Sequence, residues 1–463
     1  MKKLPVLNLM SVGVLLLSGC GDDSADGFIA DGPAPIGTLD NGNDNGNSSE
    51  TNGNDQGGDG DGDSGPGDGD GDPGDGDGDG DGGSADGGNH KWDTLSVPDG
   101  SMNCGGGGGN ANEPEWSYLW AANSSQGTIS KIDTKTVTEV GRYQVRPNGG
   151  GSPSRTSVSL SGHVAVASRV GGVTKIYADE SFCEESNGMP GIQTSNSAAF
   201  LPWGEEECVA WHTPFNYQTQ RPVAWGPGEF NQGTCQWEDE ELWTAGSNGQ
   251  GIDVMVLDGD DGSIKEMINV PTGGNGMAAD FYGIYGGAVD GDGNFWGSQL
   301  GSSGKLLKVN REDMTYTVYN TPNDASWYGM TVDEDGMVWL CRNYVARFDP
   351  VLETWTTAST GGYTGCMADV GEDGLLWQAS SGNQGVIGVN RDTLQVEKSW
   401  PAGGAYGISI DFEGYVWAVA NGSNVSKIDP ETGQFQTYNG LVGAYTYSDM
   451  TGFALSSVGS PNG

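Results

Sequence analysis

Basic side chains are scarce in this chain. Its 463 residues hold 20 Lys and Arg against 63 Asp and Glu, a formal net charge of −43. So acidic a surface argues against nucleic acid and anionic lipid headgroups as partners, because both are bound through neutralising cations. Histidine is scarcer still. His90, His163 and His212 are the whole supply, and any mechanism that needs a pair of imidazoles must draw on them. The apolar run Leu4–Leu17 is too short to span a bilayer well. The seven cysteines show none of the CxxC spacing of a zinc or redox site.

What is present begins with a basic pair, Lys2 and Lys3, ahead of that apolar run and of Leu17-Ser18-Gly19-Cys20. The four residues are similar to a bacterial lipobox. The resemblance implies that residues 1–19 are a signal peptide, and that cleavage before Cys20 is followed by lipidation of its thiol and new amino group. A multiply acylated cysteine would hold the protein to a lipid bilayer. Gly21 rather than Asp after Cys20 points to the outer membrane of a bacterial cell envelope.

From Gly21 to His90 there are 19 acidic residues and no Lys or Arg, with runs such as "GDGDGDPGDGDGDGDGG". Such a segment has almost nothing to bury against the entropy of ordering its backbone. Residues 20–90 are expected to be a disordered tether with an rms span of about 45–50 Å. The Asp-Gly alternation echoes the opening of a calcium loop, but the closing bidentate Glu is missing, and diffuse cation condensation is the expected behaviour. Loss of Lys2 and Lys3 with the signal takes the net charge to −45.

Residues 91–114 read as a Gly-rich lead-in, 115–457 as the folded part and 458–463 as a tail. Four copies of one phrase align on tryptophan: "YGGAVDGDGNFW" to Trp296, "YGMTVDEDGMVW" to Trp339, "CMADVGEDGLLW" to Trp377 and "YGISIDFEGYVW" to Trp417. Gly293, Gly336, Gly374 and Gly414 each stand three residues before the Trp. Each copy predicts a strand, a tight turn in which glycine takes positive φ, and a strand carrying Trp. Two more strands follow, for example "VSKIDP" and "QFQTY". Four short strands about every 40 residues are the mark of a β-propeller blade.

Weaker copies lie around Trp120, around Ser157–Asp179 with Ala165 in the Trp position, and around Glu241–Gly262, which brings the count to seven. The first copy starts at its second strand, and Tyr447–Ser457 supplies a strand near the other end. The fold expected is therefore all-β, a seven-bladed propeller of four-stranded blades whose first blade is closed by the C-terminal strand. A six-bladed ring with a small separate domain is the alternative.

The phrases "YGISIDFEGYVWAVANGSNVSKIDPETGQF" and "AVDGDGNFWGSQLGSSGKLLKV" resemble the streptogramin lyase (virginiamycin B lyase-like) propellers, clearly over 279–438 and more faintly over 115–270. The resemblance implies a seven-bladed monomer that opens a cyclic depsipeptide by elimination. In that family histidines and a carboxylate act beside a bound magnesium at the channel mouth. The histidines should lie near the starts of innermost strands, where this chain has Tyr285, Tyr328, Cys366 and Tyr406 instead. His90 falls in the tether, His163 in a turn at the opposite end of a blade, and His212 in an insertion. No catalytic residue is carried over.

The candidate ligand-binding residues are those that should surround the mouth: Tyr285, Tyr328 and Tyr406 on one arc, Arg155 and Arg221 at the starts of the second and third inner strands. That set suits a sugar or a carboxylate-bearing ligand. The competing reading has each Tyr packing on the next blade and each Arg paired with one of the many carboxylates. An insertion from about 180 to 239 holds Cys183, Cys208, Cys235 and four tryptophans, Trp203, Trp211, Trp225 and Trp237. It forms either an overhanging recognition lobe that includes His212, or a lobe with a small core of its own.

Within the insertion, Cys183–Ser195 bears a trace of a calcium loop. No cofactor is assigned; magnesium or calcium is the cation left open. Cys341 and Cys366 should meet at one end of adjacent blades as a disulfide. These residues describe a lipid-anchored envelope protein, expected to be monomeric, that binds an envelope glycan, peptide or protein. A metal-dependent carbon–oxygen lyase and a structural or adhesive surface protein are the alternatives.

Overall fold

The repeated Asp-x-x-Gly-x-x-Trp phrase builds one corner of a blade through a single carboxylate. In the fourth blade Asp290 Oδ1 accepts the amides of Asp292 and Asn294, and Oδ2 accepts the indole N–H of Trp296 at 2.8 Å. Asp333 does the same for Asp335, Met337 and Trp339, and Asp411 for Glu413, Tyr415 and Trp417. Gly293, Gly336 and Gly414 take the left-handed backbone that the turn needs, with φ of 77°, 76° and 83°. A cation stands beside each carboxylate: Lys308 at 3.7 Å, Arg391 at 3.6 Å and Lys427 at 3.4 Å. One short side chain thus satisfies a turn and fixes the ring of the Trp that fills the blade.

The computed structural model describes residues 117–459, except 235, 302, 323–325, 381 and 383. The signal, Cys20, the tether with His90, the lead-in, Cys104 and Cys235 lie outside the described residues. Among those described, no helix is long and apolar enough to cross a membrane.

Seven blades follow one another. The first has three strands, Tyr118–Asn123, Thr128–Asp133 and Thr138–Gln144. The inner strands of the others are Pro153–Val158, Thr219–Trp225, Gly286–Val289, Gly329–Val332, Cys366–Ala368 and Gly407–Ile410, and each of these blades adds three antiparallel strands outward. Trp120, Trp225, Trp243, Trp296, Trp339, Trp377 and Trp417 are fully buried in the blade cores. Apolar plates of this size between sheets are what a ring of small sheets needs to cohere.

The C-terminal strand closes the ring, in a form the sequence does not show. Tyr447–Ser448 packs between the inner strands of blades seven and two, in the empty first-strand place of blade one. Its ladder is parallel, to Arg155 and Thr156 of blade two. Blade one is reached on its other side by an antiparallel bridge between Asn123 and Ala444. Two further bonds hold it there, Tyr445 N–H to Ala122 O and Trp120 N–H to Met450 O.

The expected strand Tyr447–Ser457 is short for a physical reason. Phe453–Gly459 turns into an α-helix, because Phe453, Leu455 and Val458 are buried at the far ends of the inner strands rather than alternating between two sheet faces.

Two further differences concern the middle of the chain. The insertion of 180–239 is not one lobe: Val209–Thr213 is the outer strand of blade two, and Thr219–Trp225 is the inner strand of blade three. What remains is a loop over 183–208 and a hairpin, Glu229–Asn231 with Gln236–Glu238. In blade six the left-handed glycine is Gly371 (φ 84°), whereas Gly374 is not at positive φ.

Candidate functional site at the channel mouth

Each tyrosine that precedes an inner strand is held by its own blade's second strand. Tyr285 N–H bonds to Ser298 O, Tyr328 N–H to Cys341 O and Tyr406 N–H to Val419 O. The glycine after each lets neighbouring backbone in: a Cβ at Gly407 would lie 2.0 Å from the Thr446 carbonyl oxygen. Inner strands so close throw the rings together. Tyr285 and Tyr328 lie 5.0 Å apart, and Tyr328 meets Tyr406 edge-on at 5.3 Å.

The structure brings these three together with Arg155 and Arg221, but not as an open arc. Tyr285 and Tyr328 are 2–3 % exposed, and Tyr445 and Tyr447 from the C-terminal segment lie among them. The Tyr445 hydroxyl is the hub, 2.6 Å from that of Tyr285, bonded to that of Tyr328, and 3.4 Å from that of Tyr447. Sequence reasoning missed both residues, although "YTYS" is the same aromatic signature on the closing strand. Burial pushes the Tyr285 and Tyr328 hydroxyls well above the usual phenol range, so they act as neutral donors and acceptors.

Three guanidinium groups share this cluster. Arg155 is fully buried, lies over the rings of Tyr447 and Tyr285, and donates from Nε and Nη2 to the Tyr285 carbonyl at 2.9 and 2.6 Å. Arg221 lies 4.7 Å from the Tyr285 ring centre and donates from Nε to Thr219 Oγ1. Arg169, at the end of the next strand of blade two, is half-buried 5.2 Å from the Tyr445 ring. Among the described residues none of the three has a carboxylate within ion-pair distance, and Nη1 of both Arg155 and Arg221 is buried without a hydrogen-bond partner. Burial lowers Arg155 to about 9, with Arg221 adding to the effect; Arg169 is lowered as well. The expectation that the arginines pair with carboxylates is not met.

His212 is not part of the mouth. It sits on the outer strand of blade two, with Nδ1 2.8 Å from Thr174 Oγ1 and its ring against Trp203. His163 is buried between Tyr177 and Phe182 and accepts the Ala178 amide. Desolvation lowers the two imidazoles to about 4 and about 3.

The tryptophans of the 180–239 region go separate ways. Trp211 and Trp225 belong to the blade core, Trp237 packs on Phe230 in the hairpin, and Trp203 lines a cavity of about 160 Å³ with Gln144, Ser186 and Glu206. The loop is stapled by a Cys183–Cys208 disulfide. At its centre the Glu207 carboxylate accepts the amides of Ser186, Asn187 and Gln193, which hold it below the usual carboxylate range. A second disulfide joins Cys341 to Cys366 across blades five and six, at the same end as the tyrosines. Among the described residues no three His, Cys, Asp or Glu side chains converge as a metal site would require.

No protein family and no curated protein matches the chain. Among solved structures it is similar to virginiamycin B lyase from Staphylococcus aureus, at 14% identity over 62% of this chain and 83% of that one (TM-score 0.42). A putative 6-phosphogluconolactonase from Bacteroides uniformis is similar at 12% identity over 72% and 98% (TM-score 0.47). BamB from Moraxella catarrhalis is similar at 11% over 71% and 86% (TM-score 0.38). The chain is a seven-bladed β-propeller on its own strand pairing, and propellers of one architecture serve many functions.

Proposed function

We propose that the protein is a recognition module of the bacterial cell envelope, anchored through acylated Cys20, which binds a glycan, peptide or protein at the channel mouth. The observation that carries this reading is the cluster of Arg155, Arg169 and Arg221 among tyrosines. In a chain so rich in carboxylates, three guanidinium groups with no acidic neighbour among the described residues favour an external ligand. Tyrosines beside them supply flat apolar area with a polar tip, a composition suited to binding sites. The lyase reading draws less support, since His163 and His212 belong to other parts of blade two.

Capture from envelope extract tests the proposal. Full chain serves as bait, with a variant carrying Tyr282→Ala and Tyr406→Ala, two of the three half-buried tyrosines of the cluster, checked for folding by circular dichroism. A partner held by the first and lost by the second supports recognition at the mouth. A partner lost only by Trp203→Ala moves the site to the loop over 183–208. Opening of a streptogramin B ring in magnesium, abolished by EDTA, would overturn the proposal in favour of an enzyme.

A further inference from the structure

The guanidinium cluster has a specific chemical demand. Arg155 and Arg221 are 0 % and 6 % exposed, and each buries an Nη1 group with no protein acceptor among the described residues. Their contacts do not neutralise them. The Tyr285 carbonyl, the Thr219 hydroxyl and the faces of Tyr282, Tyr285 and Tyr447 are dipoles and quadrupoles, not charges. Arg221 is close enough to both Arg155 and Arg169 to disfavour their charged forms, and the half-buried Arg169 is the third cation of the cluster. Like charges in a low-dielectric site are costly unless an anion joins them.

The far end of the channel is filled by the helix Phe453–Gly459. In the Trp203 cavity, Glu206 is already bonded to Thr194, Ser195 and Cys208.

We propose that the mouth is a carboxylate site, in which one carboxylate lies between the Nη1 groups of Arg155 and Arg221, with Arg169 completing the cationic side. Planar guanidinium forks match the two oxygens of a carboxylate, and a buried Arg keeps its charge more readily than a buried Lys. This inference rests on the recognition reading and names its ligand chemistry. The carboxylate comes either as a small free acid or as the acid group of a sugar, whose ring the half-buried Tyr282 and Tyr406 would face.

Thermal unfolding of the purified full chain, at fixed pH and ionic strength, distinguishes the sources. Sodium chloride is the reference; acetate, glucuronate, glucose and sulfate are the probes. A saturable rise in Tm with acetate and glucuronate but not glucose is expected. A lower half-saturating concentration for glucuronate identifies a sugar acid; equal values identify a small carboxylate. Arg221→Gln and Arg169→Gln, each checked by circular dichroism, should raise the half-saturating concentration at least tenfold.

No rise beyond chloride, or an equal rise with sulfate, overturns the carboxylate site. So does a rise that survives both Gln substitutions. Failure here is separable from failure of the recognition reading: a partner captured through Tyr282 and Tyr406 but indifferent to added carboxylate would keep the second and remove the first.

Discussion

Blades seven and six were built from the same phrase, yet they solve the same problem differently. In blade seven Asp411 is fully buried, receives the amides of Glu413 and Tyr415 and the indole N–H of Trp417, and lies 3.4 Å from Lys427. In blade six the residue six positions before Trp377 is Gly371, and the Trp377 indole N–H is buried without a partner among the described residues. The strand register changes too, since the residue opposite Trp417 is Lys427 while the one opposite Trp377 is Gly388. Trp is retained in both because its apolar plate does the packing. The carboxylate is a fastening for the turn, and blade six has a longer turn, with Met367 opposite Trp377 where blade seven has Ser409 opposite Trp417, and the Cys341–Cys366 bond at its other end.

The comparison is broken most severely by Asp411→Ala. It leaves one indole N–H and two amides without their acceptor and takes from Lys427 the nearer of its two carboxylates, and a loss of about 3 kcal/mol is expected, read from denaturant unfolding at pH 7. A loss below about 1 kcal/mol would show that water replaces the carboxylate.

A pair of conservative changes sharpens the contrast. Trp339→Phe leaves Asp333 Oδ2 without its indole donor and should cost about 2 kcal/mol; Trp377→Phe removes a donor that has no partner and should cost about 1 kcal/mol or less. Equal losses in the two unfolding curves would mean that ring volume alone matters.

The smallest effect concerns Asp449, the same kind of buried carboxylate but with no cation beside it among the described residues. Its oxygens accept the amides of Thr451, Gly452 and Leu455, and burial, the dominant influence, raises it to about 6. A carboxyl raised in the folded state binds its proton more tightly there than when unfolded. Its contribution is therefore full below about pH 4 and is lost as pH rises through about 6. Between pH 4.5 and 7 the parent should lose more Tm than Asp449→Asn, by a few degrees. Parallel curves would remove Asp449 from the pH response.

The propeller was legible because tryptophan and turn glycines recur at near-fixed spacing, and in blades four, five and seven the Asp six residues before the Trp ties that spacing together. Blade six shows the limit. An alignment on Trp377 places Gly374 at the left-handed position of the turn, while the longer turn of blade six gives that position to Gly371. At the mouth, Tyr285, Tyr328, Tyr406, Arg155 and Arg221 were legible from register. Packing of each Tyr on its neighbour was one of the two readings the sequence offered; the share of Tyr445 and Tyr447 in that packing was not legible, because they come from a segment outside the repeat. The helix Phe453–Gly459 was hidden for a related reason, since seven residues carry too little periodicity to separate helix from strand and tertiary burial decides.

The closing segment also sets an order of events in the life of the chain. The Ser124 hydroxyl and the Tyr445 carbonyl meet 3.5 Å apart across 321 residues of sequence. Blades can pair locally as they emerge from the ribosome or from an export channel, but the gap beside Tyr118–Asn123 stays an exposed strand edge until residues 444–459 arrive. A chain interrupted before Ala444 would hold nearly every blade and still present an open edge to its neighbours. Ring completion is thus a late quality check, and aggregation of such a fragment is the molecular form of failing it.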